Sequence, residues 1–570
     1  MSYALNSNRN EMLKLLWPWL PLWMLVAVVT IFQHGPMPMY STRVLSVAWE
    51  MWHRHDFLVP YLNGTPYSDK PPLLFWLIQL GWAIGGVGDV WPRCLEVICG
   101  AVQLVLAATL ASRLFPDRPV AARNMPWVLL AFSYSFLFGL QVMYEVLLAA
   151  CVLGALVALM PRQHNPSPRF GWFAFAVSLG LLTKGPVMLL HVGIPWLLGP
   201  LWNEWARRER VRWYVQGSIA SLASLGVLLL WALSAARAGG AAYREQLLFH
   251  QTAGRVVDAF AHALPFWWYM PIIPALIFPF CLWPRVWVAI LKLRVNDEWG
   301  LRFLLAWLFP VVVIFSLISG KQPYYLLPEC AGFAMLIAIA IARLNLEQSE
   351  IKFGALLWPW PLTLTVVALG VTLLALPTLV NDQLVHDARI DPLTSYSREF
   401  GVLFCALGLL VLPGKYELQR VAVLGLLGTA AGSLFFGMTL WPTFDFAPAA
   451  AILAKAEAKH EPIANLETYD GQFHFLGRLT QPIAHLATNE AISRWCIEHQ
   501  DGLLVGYKPE LSATQRTDAI YTQRFRGVYL VIWPTSSCQS ALNVSFPKTH
   551  YRKAPTPTDS AHFSRALATI

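Results

Sequence analysis

The sequence predicts a mainly α-helical, polytopic membrane protein that ends in a small α/β domain. Three observations predict it. Apolar residues make up 56% of the 570 residues and charged residues only 13%, about half the charged share of a soluble domain. Repeated apolar runs approach the roughly twenty residues needed to cross a bilayer. Polar composition returns only after about Asp445. A mean hydropathy of +0.49 excludes a disordered chain, a collagen-like fibre and a soluble multi-domain enzyme, because a soluble fold of this size could not cover its surface with so little polar material. The net charge of +9 does not point to nucleic acid. The Lys and Arg residues sit mostly in short connectors between apolar runs, which is a topology signal and not a binding stripe.

The first run, about Leu15 to Phe32, is not followed by a small-residue cleavage site, so it reads as an uncleaved first helix. A long connector leads to about Arg93. Within it, Leu73 to Ile84 starts at Pro71-Pro72 and is short for a span, so it reads as an interfacial or re-entrant helix. Further spans are expected near 94–113, 126–141, 143–161, 171–184, 186–202, 215–237, 265–285, 303–319, 324–343, 355–377, 399–413 and 420–441, about thirteen with the first. With the N-terminus in the cytoplasm, the inner loops hold Arg118 and Arg123, Arg162 and Arg169, Arg207 to Arg212, Lys292 and Arg294, Lys352, and Lys415 and Arg420. Every short basic loop then falls inside, as the positive-inside rule requires.

The odd number of spans places the C-terminus outside. The expected organisation is a membrane domain over 1–444, with a first outer loop at 33–93, and an outer α/β domain over 445–570. Gly502–Val505 and Gly527–Ile532 read as strands and Asn489–Gln500 as a helix. Cys94, Cys99, Cys151, Cys281, Cys330 and Cys405 lie in or beside spans and read as small apolar residues. Cys496 and Cys538 lie in the outer, oxidising compartment and are candidates for a disulfide. CxxC, HExxH, P-loop and Rossmann patterns are absent from the sequence.

With this topology, Arg43, Asp69, Lys70, Glu145, Lys184, His250, Arg255 and Lys321 can all meet at the outer membrane–water boundary. Cations in short outer turns run against the positive-inside bias, and an anionic ligand such as a phosphate or pyrophosphate would explain them. Taken singly, each has a plainer reading. A lysine can snorkel to headgroups, Glu145 can serve a helix N-terminus, and Tyr324 and Tyr325 can belong to an aromatic belt. His191 and Met188 read as packing residues, and the spans are expected to carry no deep charged residue that would mark a translocation pathway.

The stretch Tyr61-Leu62-Asn63-Gly64-Thr65-Pro66-Tyr67-Ser68-Asp69-Lys70-Pro71-Pro72-Leu73-Leu74-Phe75-Trp76 resembles the first outer loop of the ArnT/PMT family. These are integral-membrane GT-C glycosyltransferases that use polyprenyl-phosphate sugars. Leu181-Leu182-Thr183-Lys184-Gly185-Pro186 and Ser319-Gly320-Lys321-Gln322-Pro323-Tyr324-Tyr325-Leu326-Leu327-Pro328 resemble two further blocks, in the family's order. The similarity covers roughly residues 10 to 345, and the helix count and outer domain resemble the aminoarabinose transferase branch, which modifies lipid A. The resemblance implies a GT-C fold. It also implies transfer from an undecaprenyl-phosphate sugar to a lipid A-type or other envelope acceptor at the bacterial inner membrane. Lys70 would bind the donor phosphate, with Tyr67 and Asp69 beside it. His250, Arg255 and Arg43 match family positions near the same phosphate. Tyr325, or Tyr324, would close the pocket, and Lys184 and Lys321 match further positions. Membrane lipids are the remaining partners, and nucleic acid is not one. No cofactor is assigned beyond a candidate divalent metal on Asp69 and His250, since carboxylate plus imidazole suits Zn²⁺ or Mn²⁺.

One departure stands out. The family's first outer loop usually opens with an Asp-Glu pair before its Arg. Here that run is Tyr40-Ser41-Thr42-Arg43-Val44, and the second acidic site falls on Glu145. Tyr40 is no general base of the ordinary kind. Three explanations stay open. The acceptor can be an already ionised phosphate, so that positioning and electrostatics suffice. Glu145 or Asp69, with a metal, can take the acidic role. Or transfer is lost and the protein only binds the lipid. A lipid-sugar transporter and a silent scaffold are the rival classes.

Overall fold

A computed structural model of the chain describes residues 19–139, 141–162, 166–248, 264–295, 298–347, 357–381, 391–412, 416–467 and 469–542. Long helices dominate: α1 Leu20–Gln33, α2 Ser41–Arg54, α3 Leu73–Gly85, α4 Val90–Leu114, α5 Pro119–Ala131, α6 Ser133–Gly139, α7 Tyr144–Leu159, α8 Phe170–Lys184, α9 Val187–Leu197 and α10 Arg210–Ala238. After these come α11 Trp299–Leu317, α12 Cys330–Glu347, α13 Trp360–Asn381, α14 Ser397–Gly408 and α15 Glu417–Thr439. Among the described residues, five helices are long and apolar enough to cross a bilayer: α4, α10, α11, α13 and α15. Shorter apolar helices stand beside them, and the chain is a multi-pass membrane protein. The exposed apolar residues of α10 and α13, such as Leu222, Leu230 and Leu364, are what a lipid-facing surface requires, since lipid tails solvate them as well as a protein core would.

Several expected spans are not single helices; 186–202, for one, splits into Val187–Leu197 and Gly199–Trp202. Residues 265–285 break into the 3₁₀ turn Phe266–Trp268, the helix Tyr269–Leu276, the 3₁₀ turn Phe280–Leu282 and a further helix, Pro284–Leu291. Pro265, Pro271, Pro274, Pro279 and Pro284 supply the cause, because each lacks an N–H and clashes with the preceding turn. The stretch 126–141 breaks at Phe132 between α5 and α6. The helix α3, with 13 residues, is among the shorter apolar helices. Near its start the Trp76 indole donates to the Phe57 carbonyl, and near its end Trp82 stacks on Phe475 at 5.6 Å. Both ends thus touch the 33–93 loop or the C-terminal region.

The other end of the bundle gathers basic residues around acids. Arg118 at the start of α5 and Arg343 in α12 share Glu298, which precedes α11, at 3.4 and 3.8 Å. Arg285 meets Glu417 at 2.5 Å.

The polar C-terminal segment builds a five-stranded sheet in the order β4 Ala484–His485, β3 Ile463–Asn465, β5 Leu503–Lys508, β7 Val528–Pro534, β6 Tyr521–Phe525. The β3 pairings are parallel, and β7 runs antiparallel to β5 and β6. All of β5 is buried, as a central strand covered on both faces demands. Leu453 of helix Ala447–Ala458 packs on one face and Ile492 and Trp495 of helix Asn489–Glu498 on the other. Cys496 and Cys538 are joined in a disulfide, with Cα atoms 6.3 Å apart, as expected.

This segment docks on the first outer loop through named bonds. The Ser46 hydroxyl meets the Gly471 carbonyl at 2.5 Å and accepts from the Phe475 N–H, while the Trp49 indole donates to Leu479. The hairpin of β1 Tyr61–Leu62 and β2 Thr65–Pro66 turns on Asn63 (φ 53°) and Gly64 (φ 78°), the left-handed pair that an Asn-Gly turn provides. The Asn63 side chain bonds both backbone groups of Ile483, at 2.9 and 2.8 Å. Gly64 also has no room for a side chain, because a Cβ would lie 2.6 Å from Pro482.

Candidate functional site

Glu145 is the centre of the expected site. It lies in the first turn of α7 and is 1% exposed. Its Oε1 is 2.7 Å from the Lys184 Nζ, and its Oε2 accepts from the Tyr40 hydroxyl at 2.7 Å. The helices explain the meeting. A carboxylate is favoured at a helix N-terminus and an ammonium at a C-terminus, and Lys184 is the last residue of α8. Gly185, at φ 70°, ends that helix, so α7 and α8 present complementary charges at one end. The Lys184 ammonium also lies 4.3 Å from the Tyr325 ring centre and 6.0 Å from that of Tyr324, within cation–π range. Tyr324 in turn packs edge-on against Tyr40 at 5.3 Å. Burial, then the Glu145 charge, pushes the Tyr40 phenol well above its usual range. Tyr40 is therefore a neutral hydrogen-bond donor to Glu145.

The second half of the site surrounds Tyr144. The Lys70 ammonium lies 5.8 Å from its ring centre and donates to the Asp69 carbonyl. Arg43, Glu145 and Asp69 all act on Tyr144 electrostatically, and Tyr67 lies beside it. Arg43 itself bridges to Asp470 of the C-terminal segment at 2.8 Å. The structure thus brings together Tyr40, Arg43, Tyr67, Asp69, Lys70, Glu145, Lys184, Tyr324 and Tyr325 from α2, the outer loop, α7, α8 and the turn before α12.

Lys321 sits apart in role. It is 2% exposed, and its ammonium donates to the carbonyls of Leu264 and Ile318 at 2.8 and 2.6 Å, tying the tyrosine turn to the start of the Phe266–Trp268 segment. His250 and Arg255 lie outside the described residues. Among the described residues, no group of three or more His, Cys, Asp or Glu gathers as a metal site.

Sequence reasoning missed several buried acids. Buried ionisable groups stand in or beside the apolar helices. Glu96 of α4 is wholly buried and accepts from the Met143 N–H at 3.1 Å. His191 of α9 bonds Glu329 at 2.7 Å, both 0% exposed. His191 is therefore a paired residue as well as a packing one. An isolated Glu or His within apolar sequence is itself the signal that a partner must exist, but the partner is far along the chain. Glu50 of α2, also buried, accepts from the Asn63 and Gly64 N–H groups and holds the hairpin.

The model of the family described as dolichyl-phosphate-mannose-protein mannosyltransferase matches residues 69–231. The undecaprenyl phosphate-alpha-4-amino-4-deoxy-L-arabinose arabinosyl transferase of Pseudomonas aeruginosa strain LESB58 is 30% identical over 373 residues, 63% of each chain. A Pseudomonas fluorescens Pf0-1 protein of the same description is 27% identical over 347 residues, 58% of this chain and 60% of its own. The chain is thus matched over less than two thirds of these relatives' length. The crystal structure of ArnT from Cupriavidus metallidurans bound to undecaprenyl phosphate superposes with a TM-score of 0.69 at 18% identity, covering 90% of this chain and 97% of that one. The apo form of the same protein gives 0.68. These two structures share the fold.

Proposed function

We infer the function from the premise that the chain belongs to the ArnT/PMT family of GT-C integral-membrane glycosyltransferases: it moves a sugar from a polyprenyl phosphate donor, undecaprenyl phosphate in the relatives' names, to a lipid A-type or other envelope acceptor. The reaction takes place on the periplasmic face of the bacterial inner membrane, with the N-terminus cytoplasmic and the C-terminal domain periplasmic. The observation that carries this reading is the convergence of Arg43, Lys70 and Lys184 with Glu145 around Tyr144 and Tyr325. Cations grouped at one outer boundary suit a phosphodiester headgroup better than headgroup snorkelling does.

In this mechanism Lys70 and Arg43 hold the donor phosphate, and the family resemblance assigns His250 and Arg255 to the same phosphate. An acceptor oxygen forms a bond to the anomeric carbon, and the bond from that carbon to the phosphate oxygen breaks with its electron pair leaving on the phosphate. The cations stabilise that departing charge. Glu145 is engaged on both oxygens by Lys184 and Tyr40, so its role is to fix those donors against the reacting groups. Tyr40, held neutral, removes no proton. The arrangement therefore favours an acceptor whose oxygen is already ionised, with positioning supplying much of the rate. The acceptor is proposed to be such a phosphate.

The test is transfer in proteoliposomes, read as a gain of glycosyl mass on the acceptor. Lys70→Ala is expected to lose transfer by at least about a hundredfold while remaining inserted and folded. Undiminished transfer by that variant would remove the phosphate-clamp role. A wild-type protein that binds lipid yet never transfers would favour the silent binding protein instead.

A further inference from the structure

We propose that His191 and Glu329 form a positioning pair that holds Tyr325 over the Lys184 ammonium. The inference rests on the reading that this site takes a polyprenyl phosphate. His191 stands in α9, which starts after the Lys184-Gly185-Pro186 turn. Glu329 stands four residues past Tyr325, immediately before α12. Their bond at 2.7 Å therefore joins the two turns that deliver Lys184 and Tyr325 to each other.

The link is continuous in space. The His191 ring packs on Phe315 at 5.1 Å, Phe315 packs on Tyr325 at 6.0 Å, and Tyr325 covers Lys184 at 4.3 Å. The chain side of the loop is equally stiff. Gly180 of α8 lets Met188 of α9 approach so closely that a Cβ there would fall 2.4 Å from the sulfur, so the two helices pack closely at this point. From below, the Tyr269 hydroxyl donates to the Gln322 carbonyl at 3.0 Å. The tyrosine turn is thus clamped from both ends, and the buried pair is its inner anchor.

The choice of residues argues for a role beyond packing. A buried acid–histidine pair is no better for stability than apolar side chains of similar volume, because desolvating both groups is costly. What a directional 2.7 Å bond adds is one fixed rotation of α9 against the turn.

Undecaprenyl phosphate titration of the purified full-length protein in detergent tests this, alongside thermal unfolding of each variant. Wild-type protein establishes that the lipid binds at all; failure there would remove the functional reading on which the pair's role rests. Glu329→Gln, which can keep the hydrogen bond from His191, is expected to bind within about twofold of wild type. The double variant His191→Leu with Glu329→Leu is expected to stay folded but to bind about tenfold more weakly, because the ring is no longer held over the cation. Phe315→Leu leaves the pair intact and breaks the relay, and a similar weakening is expected. A purely structural pair would lower the unfolding temperature and leave the dissociation constant of the folded fraction unchanged. Wild-type affinity in Phe315→Leu and in whatever double variant folds would overturn the proposal.

Discussion

Tyr40 stands where the resemblance would place an acid, and its neighbours fit a neutral side chain there. An ionised Asp at position 40 would face Glu145 across a buried gap, and two carboxylates there repel. A neutral phenol bonds Glu145 at 2.7 Å, leaving Lys184 to balance the charge. The pair is nearly dry, with Lys184 8% and Glu145 1% exposed, so its members should be far more costly to remove singly than together. Glu145→Ala or Lys184→Ala is expected to cost about 3–5 kcal/mol, because each leaves a buried charge unpaired, whereas Glu145→Leu with Lys184→Met should cost clearly less. Unfolding temperatures of the three detergent-solubilised variants check this, and equal losses in all three would contradict it. Tyr40→Phe removes one hydrogen bond and keeps the ring contact to Tyr324, so it should cost about 1 kcal/mol. If Tyr40 were instead an essential base, Tyr40→Phe would abolish transfer, and a transfer assay distinguishes the two.

At the scale of elements, the Tyr61–Pro66 hairpin shows how the loop motif serves the site at one remove. Asn63, Gly64 and Glu50 together fix the strand that leads to Lys70. Glu50 receives both turn N–H groups, and Asn63 spans Ile483 in the manner of a missing strand. Asn63→Ala is expected to cost about 1–3 kcal/mol, since it strips both Ile483 groups of their partners. The same variant should raise hydrogen exchange in the 479–485 segment, with little change in the helices. Unchanged exchange there would mean the docking does not depend on this bond. The Asn-Gly turn was legible because φ > 0 restricts residue type locally. The broken stretch 265–285 was equally open to reading from its prolines, but its apolar content outweighed them. A lone His191 or Glu329 in an apolar run signals that a partner exists, but not which one, since the two lie 138 positions apart.

Across the whole molecule, the sorting of charges by side was legible and is what brought the site together. Hydrophobic runs and basic connectors fixed which turns share an end, and Lys70, Glu145, Lys184 and Tyr325 do meet. The dock of the C-terminal segment was not legible, because Arg43–Asp470 and Ser46–Gly471 join residues more than four hundred positions apart. That dock contains a titratable group of its own. His474 is 1% exposed, bonds the Tyr469 hydroxyl at 2.6 Å and lies 3.9 Å from Glu50. Burial pushes its imidazole down to about 4, with the Arg54 charge adding a little. Between about pH 6.5 and that value the unfolded chain takes up a proton that the folded chain refuses, so stability falls as pH falls, by at most about 3 kcal/mol. Glu50 acts in the opposite sense. Burial holds its carboxyl above the usual range, so the folded chain gains its proton first and recovers stability on acidification. Comparing variants isolates the histidine. From about pH 7 to about pH 5, the unfolding temperature of the wild-type protein should drop more steeply than that of His474→Gln, which keeps a polar partner for Tyr469 but has no proton to refuse. Parallel pH profiles would mean that His474 is not held neutral by the dock.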